Sequence, residues 1–566
     1  MSKLQGTEAP LSRAESSAQQ QAVRSSASMA VGTLVSRILG FAKGILLGVA
    51  IAGTAVVNIF DSANTLPNLI FLLVAGGVFN AVLIPQIVKA SKLPDRGADF
   101  ISRLLTLAIS ALLALTVLVL LLAKPLMQLL TAYTGLQQEL AVAFSLLLLP
   151  QIFFYGLYSL LGQVLNAHNA FKAYAWAPVV NNIVAIGGIL LFIVVAGSAK
   201  KTPHTVDTWT SGQTWMLAGS ATLGIVVQSI VLLIPVRRLG LKLKPTFGLR
   251  GTGLGATARI AGWTMGTMVI GNLSFLLITR IATIPAGTEP DGVVTASASV
   301  AGPFALSRAT ELYIMPHSVI ALSIATVMFT QMAQAAARRD THGVRHSLSR
   351  ALRTTGVATI FASVAMIVLA GPFGMLFSGD KEFAGRQVAI TLAILAIGAP
   401  FYSINFILNR VFYAQENART PFIIQTILVV LGVTTALLCA LFPPSMIIYA
   451  LACSYTISNI AGALVSHVFL RAKIGDYGGG QILRSYMRFL AAALVAGVVG
   501  DLVLLMFGGF DPGGFAWHSI KTAALTLVVV GPVMAVVYFA VLKVLRVHEV
   551  SDVLDPLLSR LGRRGA

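Results

Sequence analysis

From about residue 29 to about residue 545 the chain is a succession of apolar runs, separated by short polar breaks. The runs are continuous rather than alternating, which is the pattern of helices in lipid and not of barrel strands. About 20 apolar residues cross a hydrocarbon core roughly 30 Å thick, and only a helix or a closed barrel satisfies its own backbone there. The pattern predicts helices over 29–53, 57–90, 98–123, 137–166, 170–197, 214–236, 256–284, 303–335, 346–371, 384–412, 419–442, 446–471, 484–507 and 518–544. The expected fold is an all-α polytopic membrane protein of about fourteen transmembrane helices.

Composition agrees with that pattern. The chain has 566 residues, 56% of them hydrophobic and 11% charged, against about 25% charged in a soluble protein. Its mean hydropathy is +0.84. Residues 1–28, rich in Ser, Ala and Gln, are expected to be a disordered tail with no cleaved signal. Cys439 and Cys453 fall in apolar runs and are expected to be buried thiols, with neither a disulfide framework nor a zinc site.

The formal charge of +20 suggests nucleic acid until its distribution is read. Cations gather in alternate connections: Lys89 to Arg103, Arg237 to Arg250, Arg338 to Arg353, and Arg471 to Arg488. The connection near 285–302 carries Glu289 and Asp291 and no cation. By the positive-inside rule both termini are cytoplasmic, the charge is topogenic, and its partners are anionic lipids rather than nucleic acid.

The chain also repeats weakly. Pro67 and Pro316, Pro150 and Pro400, Ala167 and Ala414, and the triplets SRI (36–38) and TRI (279–281) pair in one order, roughly 250 residues apart. Two six-helix lobes are therefore expected, related by a pseudo-twofold axis along the membrane normal, as in transporters built from parallel repeats. The organisation this implies is a 1–28 tail, a first lobe over 29–236, a basic linker over 237–255, and a second lobe over 256–472. Two extra helices over 484–545 and a cytoplasmic tail over 546–566 complete it.

Candidate chemistry lies in the few charges inside apolar helices. In VGTLVSRILGFAKGILLGVAIAG (31–53), Arg37 and Lys43 are flanked by apolar residues. A central Arg costs about 2.5–3.5 kcal/mol on insertion scales. Either both cations snorkel or pair structurally, or they line a wet cavity and meet an anionic ligand. Asn58, Asp61, Thr65 and Asn68 form one polar stripe on the second helix, which is best turned inward. It serves either a cavity or interhelical hydrogen bonds, with Asp61 the natural counter-ion for Arg37 or Lys43. Arg308 and Glu311, three positions apart, either pair at the interface or join Arg280 at the outer mouth of the cavity. His168 and His317 lack ligand spacing, so no metal and no cofactor are expected. There is no GxSxG, P-loop or HExxH, which argues against an enzyme.

The segments SRILGFAKG (36–44), NTLPNLI (64–70), PQIFFYGLYSLLGQVLNAHNAF (150–171), WAPVVNN (176–182) and RVFYAQENARTPF (410–422) resemble the MurJ/MviN lipid II flippases. These belong to the multidrug/oligosaccharidyl-lipid/polysaccharide exporter superfamily. The likeness runs over about 29–545. It implies two lobes around a central cationic cavity, and a lipid-tail groove made by the last two helices. It also implies translocation of the undecaprenyl-diphosphate-linked peptidoglycan precursor, lipid II, with a role in cell-wall biogenesis beside cell-wall synthesis proteins. Arg37 matches the first arginine of the family's SRxxGFxR motif, and Lys43 takes the place of the second. Gly44 stands where many members have Asp, Phe71 where many have Arg, and Gly76 where Glu is common. The helix-eight arginine aligns with Arg308, with Glu311 competing for that register. Some members bind sodium through acids on helices seven and eleven, and 419–442 here contains none.

The expected mechanism is alternating access, with the diphosphate held by Arg37, Lys43 and Arg280 or Arg308. The set of substrate-contacting residues adds Asn58, Asp61, Asn68 and Glu311. Two rivals stay open at this point: a drug or cation exporter of the same superfamily, and a non-transporting scaffold relative. A membrane glycosyltransferase would need an acidic metal motif or a large loop, and neither is found.

Overall fold

Helices form where the apolar runs lie, because in such segments each backbone N–H has only its own helix to bond to. The structure is a computed structural model that describes residues 13–74, 87, 90, 95, 97–168, 170–241, 243–248, 258–287, 300–511, 513–547 and 549. Among the described residues fourteen helices are long and apolar enough to cross a membrane. In chain order they are α1 Val31–Ile51, α2 Ala55–Leu73, α3 Ala98–Leu121, α4 Gly135–Ala167, α5 Phe171–Ala196, α6 Ser211–Arg238 and α7 Gly266–Pro285. After them come α8 Pro303–Ala337, α9 Thr341–Val368, α10 Glu382–Ala414, α11 Arg419–Cys439, α12 Pro444–Ile474, α13 Gly479–Met506 and α14 Ile520–Val544. The protein is a multi-pass membrane protein.

One boundary differs plainly from expectation. The helix containing α1 begins at Arg13, so 13–28 is helical where a disordered tail was expected. That stretch holds Ala, Gln and Arg with no Gly or Pro, and a strong apolar helix follows it, so helix propagates backward at little cost. Residues 1–12, 75–86, 288–299 (with Glu289 and Asp291) and 551–566 lie outside the described residues. Of the two cysteines, Cys439 is buried but Cys453 is exposed, on the outward face of α12.

Packing pairs helices both near and far in chain order. Neighbours such as α1 and α5, α5 and α6, α9 and α10, α10 and α12, and α11 and α12 lie against each other, while α13 and α14 pack together and onto α9. The Tyr538 and Tyr486 hydroxyls donate to the Val357 and Leu352 carbonyls at 2.7 and 3.0 Å, fastening α14 and α13 to α9. The largest apolar core runs from Leu47, Ile59 and Phe60 through Phe144 to Phe304, Phe377 and Leu392, so it joins helices from both halves of the chain. Leu121, Val194, Val468, Leu505 and Val536 instead point outward, as suits a lipid-facing surface.

Among the described residues two π-helical turns interrupt the α pattern, Trp215–Gly219 in α6 and His317–Ala321 in α8. The second follows Pro316 directly. Proline has no N–H to give, and a wider turn is one way to re-seat the ladder. It leaves adjacent side chains on different faces: His317 Nδ1 lies 3.1 Å from Ser403 Oγ on α10, whereas Ser318 meets α1.

Candidate substrate cavity

The cavity begins with what α1 and α2 present inward. Lys43 sits one turn beyond Gly40, and both line a cavity of about 280 Å³ with Asp61, Asn64 and Asn68 of α2 and Arg308 and Glu311 of α8. Arg308 is the hub. Its Nη1 donates to Glu311 Oε2 at 2.7 Å and its Nη2 to Asp61 Oδ1 at 3.3 Å. The side chains of Arg308 and Asp61 are 15% and 8% exposed, so this arm of the network is largely dehydrated, whereas Glu311 is half-exposed. One nitrogen, Arg308 Nε, is buried with no hydrogen-bond partner. The Lys43 ammonium makes no hydrogen bond or ion pair among the described residues. Gly44 creates the room: a Cβ there would lie 3.1 Å from Arg308 Nη1 and 3.0 Å from the Phe377 ring.

The structure thus brings together five of the eight residues expected at the site: Lys43, Asp61, Asn68, Arg308 and Glu311. Asp61 pairs with Arg308, not with Arg37 or Lys43 as its counter-ion role suggested. The reason is geometric, since α8 approaches the face of α2 that carries Asp61. Charge inside the cavity is balanced, two cations against two carboxylates, rather than mainly basic.

Three expected residues sit elsewhere. Arg37 donates to Ser318 Oγ, a tie between α1 and α8 beside the cavity. The Asn58 amide oxygen accepts from the Phe304 N–H at 3.1 Å and so caps the first turn of α8. Arg280 is exposed, and its Nη1 donates to the carbonyls of Gln128, Leu129 and Thr131 at 2.8, 3.0 and 2.8 Å. Those carbonyls end the short helix Ala123–Leu130, where the negative end of the helix dipole favours a cation.

Other polar lining residues escaped sequence reasoning: Asn64, Gln151, Tyr155, Asn181 and Ser220. A signal existed for two of them. Gln151 follows Pro150 and Asn181 follows the WAP triplet (176–178) inside α5, both polar in otherwise apolar runs. Nothing in periodicity separates Asn181, which faces the cavity, from Asn182, whose Nδ2 donates to the Ser36 carbonyl at 2.8 Å.

A seam of contacts closes the two halves of the chain together at the side remote from the termini. The Ala132 N–H donates to Thr283 Oγ1 at 2.9 Å, and Lys200 pairs with Asp380 at 3.6 Å. Phe41 and Phe377 meet edge to face, with ring centres 5.2 Å apart. Gly48 lies against the Phe377 backbone.

Comparison with known proteins follows from this architecture. Residues 47–522 match the family model described as lipid II flippase MurJ. A probable lipid II flippase MurJ of Rhizobium meliloti (strain 1021) is 25% identical over 543 residues, covering 92% of this chain and 93% of the relative. A probable lipid II flippase MurJ of Buchnera aphidicola subsp. Acyrthosiphon pisum (strain APS) is 24% identical, with 87% and 92% covered. Among solved structures, lipid II flippase MurJ in an inward closed conformation superposes with a TM-score of 0.68 at 20% identity, covering 91% of this chain and 98% of that one. An inward-facing multidrug resistance MATE family transporter of the MOP superfamily gives 0.62 at 15% identity, with 78% and 95% covered.

Proposed function

The chain belongs to the lipid II flippase MurJ family, and from that premise we propose that it carries lipid II between the leaflets of the cell membrane, receiving the diphosphate on Lys43 and Arg308. The observation that carries this reading is the Lys43 ammonium: without a hydrogen bond or ion pair among the described residues, inside a cavity, and facing a guanidinium that two carboxylates hold. A dense dianion satisfies both cations with charge-assisted bonds. It competes with Asp61 and Glu311 for Arg308, so binding is coupled to an ion-pair network that spans α2 and α8. The unbonded Arg308 Nε is a further donor for an incoming oxygen.

Transport then follows by alternating access. The termini and basic connections lie on the cytoplasmic side, and the seam lies on the outer side, so the substrate enters from the inner leaflet. Loosening Arg308 from Asp61 frees α8 from α2, and the two lobes, related by a pseudo-twofold axis, rock about the cavity. Ligand shifts that equilibrium only by binding the two states differently, and competition for Arg308 supplies the difference. The membrane potential adds about 2.3 kcal/mol per charge per 100 mV. The polyprenyl tail stays in lipid, along α13 and α14.

Cation export is the second reading, since MATE transporters share the fold. Both cavity carboxylates are engaged by Arg308, whereas Lys43 makes no hydrogen bond or ion pair among the described residues, and this favours an anionic head group. The test is a leaflet-specific lipid II accessibility assay in a flippase-depleted strain. Lys43→Ala is expected to abolish outward appearance of lipid II at normal membrane levels. Arg37→Ala, which removes the Ser318 tie, slows it without abolishing lipid II binding. Full transport by Lys43→Ala, or transport of a cationic dye but not lipid II by the unaltered protein, overturns the reading.

A further inference from the structure

A second cavity lies away from the first and shares no residue with it. It is a groove of about 490 Å³ between the start of α3, the end of α4, the end of α6 and the linker that follows. Its floor is apolar, with Leu105, Ile109, Leu157 and Leu161. Its rim carries Arg237, in the last turn of α6, and Lys244, in the linker. The size falls in the range of about 300–1,000 Å³ typical of small-molecule sites.

The rim is built rather than incidental. The linker is tied alongside α3 through side chains: Lys244 N–H donates to Ser102 Oγ at 3.2 Å, and Thr246 N–H to Thr106 Oγ1 at 3.0 Å. Ser102 and Thr106 are one turn apart, so the linker descends along α3 instead of leaving for water. Leu241 and Leu243 pack onto the core beneath it, and Phe247 is left 80% exposed. Nearby Arg103 is already paired with Asp99 at 3.0 Å. Arg237 and Lys244 have no carboxylate partner among the described residues.

An apolar slot that opens toward lipid and ends under two unneutralised cations matches one chemistry. We propose that this groove holds one anionic glycerophospholipid of the leaflet on the side of the termini, an acyl chain over Leu105 and Ile109 and its phosphate between Arg237 and Lys244. Basic pockets between helices at that depth suit anionic head groups. Because α3, α4 and α6 all line the groove, a bound lipid braces the first half of the chain while the other half moves.

Native mass spectrometry of the full-length protein from nanodiscs of phosphatidylglycerol or of phosphatidylcholine tests this. One phosphatidylglycerol is expected to be retained, and phosphatidylcholine not. Each cation contributes about fivefold at such a surface, so the Arg237→Gln/Lys244→Gln double variant should lose retention by about 25-fold. Ile109→Trp, which fills the slot and keeps both charges, should lose it as well. Equal retention of the two lipids, or unchanged retention in the double variant, overturns the proposal. So does retention that inorganic phosphate alone abolishes, since a head-group-only site has no use for the slot. None of these readouts involves Lys43 or lipid II, so this proposal and the transport reading fail separately.

Discussion

Gly48 faces a carbonyl, and that makes its replacement by alanine a sharp probe of the outer seal. A Cβ at Gly48 would lie 2.3 Å from the Phe377 carbonyl oxygen and 2.8 Å from its carbonyl carbon. A carbon–oxygen contact settles near 3.3 Å, so α1 and the segment after Phe377 must part by about 1 Å. That segment has little freedom. Phe377 is fully buried, Asp380 is tied to Lys200, and Gly379, at φ +61°, would itself meet the Gly48 oxygen at 2.5 Å if it bore a Cβ. Over-packing of this kind costs about 1–3 kcal/mol, which is about 5–150-fold in a two-state ratio. Only the sealed arrangement carries the clash, so Gly48→Ala should favour the arrangement open on the side remote from the termini. In a Cys439→Ser/Cys453→Ser background, a single Leu47→Cys inside the cavity reports this through a membrane-impermeant maleimide added on that side. Labelling is expected to quicken by at least about fivefold. Gly40→Ala, whose Cβ meets only Asn182 Nδ2 at 3.8 Å, should leave it unchanged. Equal labelling of Gly48→Ala and its parent at equal folded yield would refute the reasoning.

Three further outcomes follow from named contacts. Arg308→Met strands Asp61, whose side chain is 8% exposed, without its counter-ion, while the half-exposed Glu311 is left to solvent. Thermal unfolding in detergent should show a loss of about 3–5 kcal/mol, partly restored by adding Asp61→Asn; strictly additive effects would remove the coupling. Arg280→Ala forfeits charged hydrogen bonds to three carbonyls and should cost about 1.5–3 kcal/mol while lipid II binding per folded molecule is unchanged. Weaker binding by that folded variant would place Arg280 at the cavity after all. In the loop between α5 and α6, burial pushes the His204 imidazole below its ordinary pKa and Lys381 adds to this, against the hydrogen bond to the Gly197 carbonyl. A lowered folded pKa favours the neutral ring, so its contribution is present above the unfolded value near pH 6.5 and is lost as pH falls. Proteolysis of this loop should therefore rise from about pH 7.5 to about pH 5.5 in the native protein and flatten in His204→Gln; equal slopes would exclude His204.

Span number and placement were legible in the sequence because hydrocarbon thickness dictates run length and the backbone has no other partner there. The inward face of α2 was legible for the same kind of reason: Asp61 and Asn68 share a stripe, and such a stripe avoids lipid. Lys43 lines the cavity, as the depth of its charge suggested. Periodicity, however, assigns a residue to a face and does not say which helix that face meets. Whether Asp61 pairs with Arg308 or with a cation of α1 depends on how the turns of α8 ahead of Pro316 are set against α2. That Asn58 caps α8 and Arg280 caps Ala123–Leu130 depends on contacts between residues far apart in the chain. Run length and helical phase are written locally, whereas partners across helices are chosen by packing, and only the tertiary structure decided them.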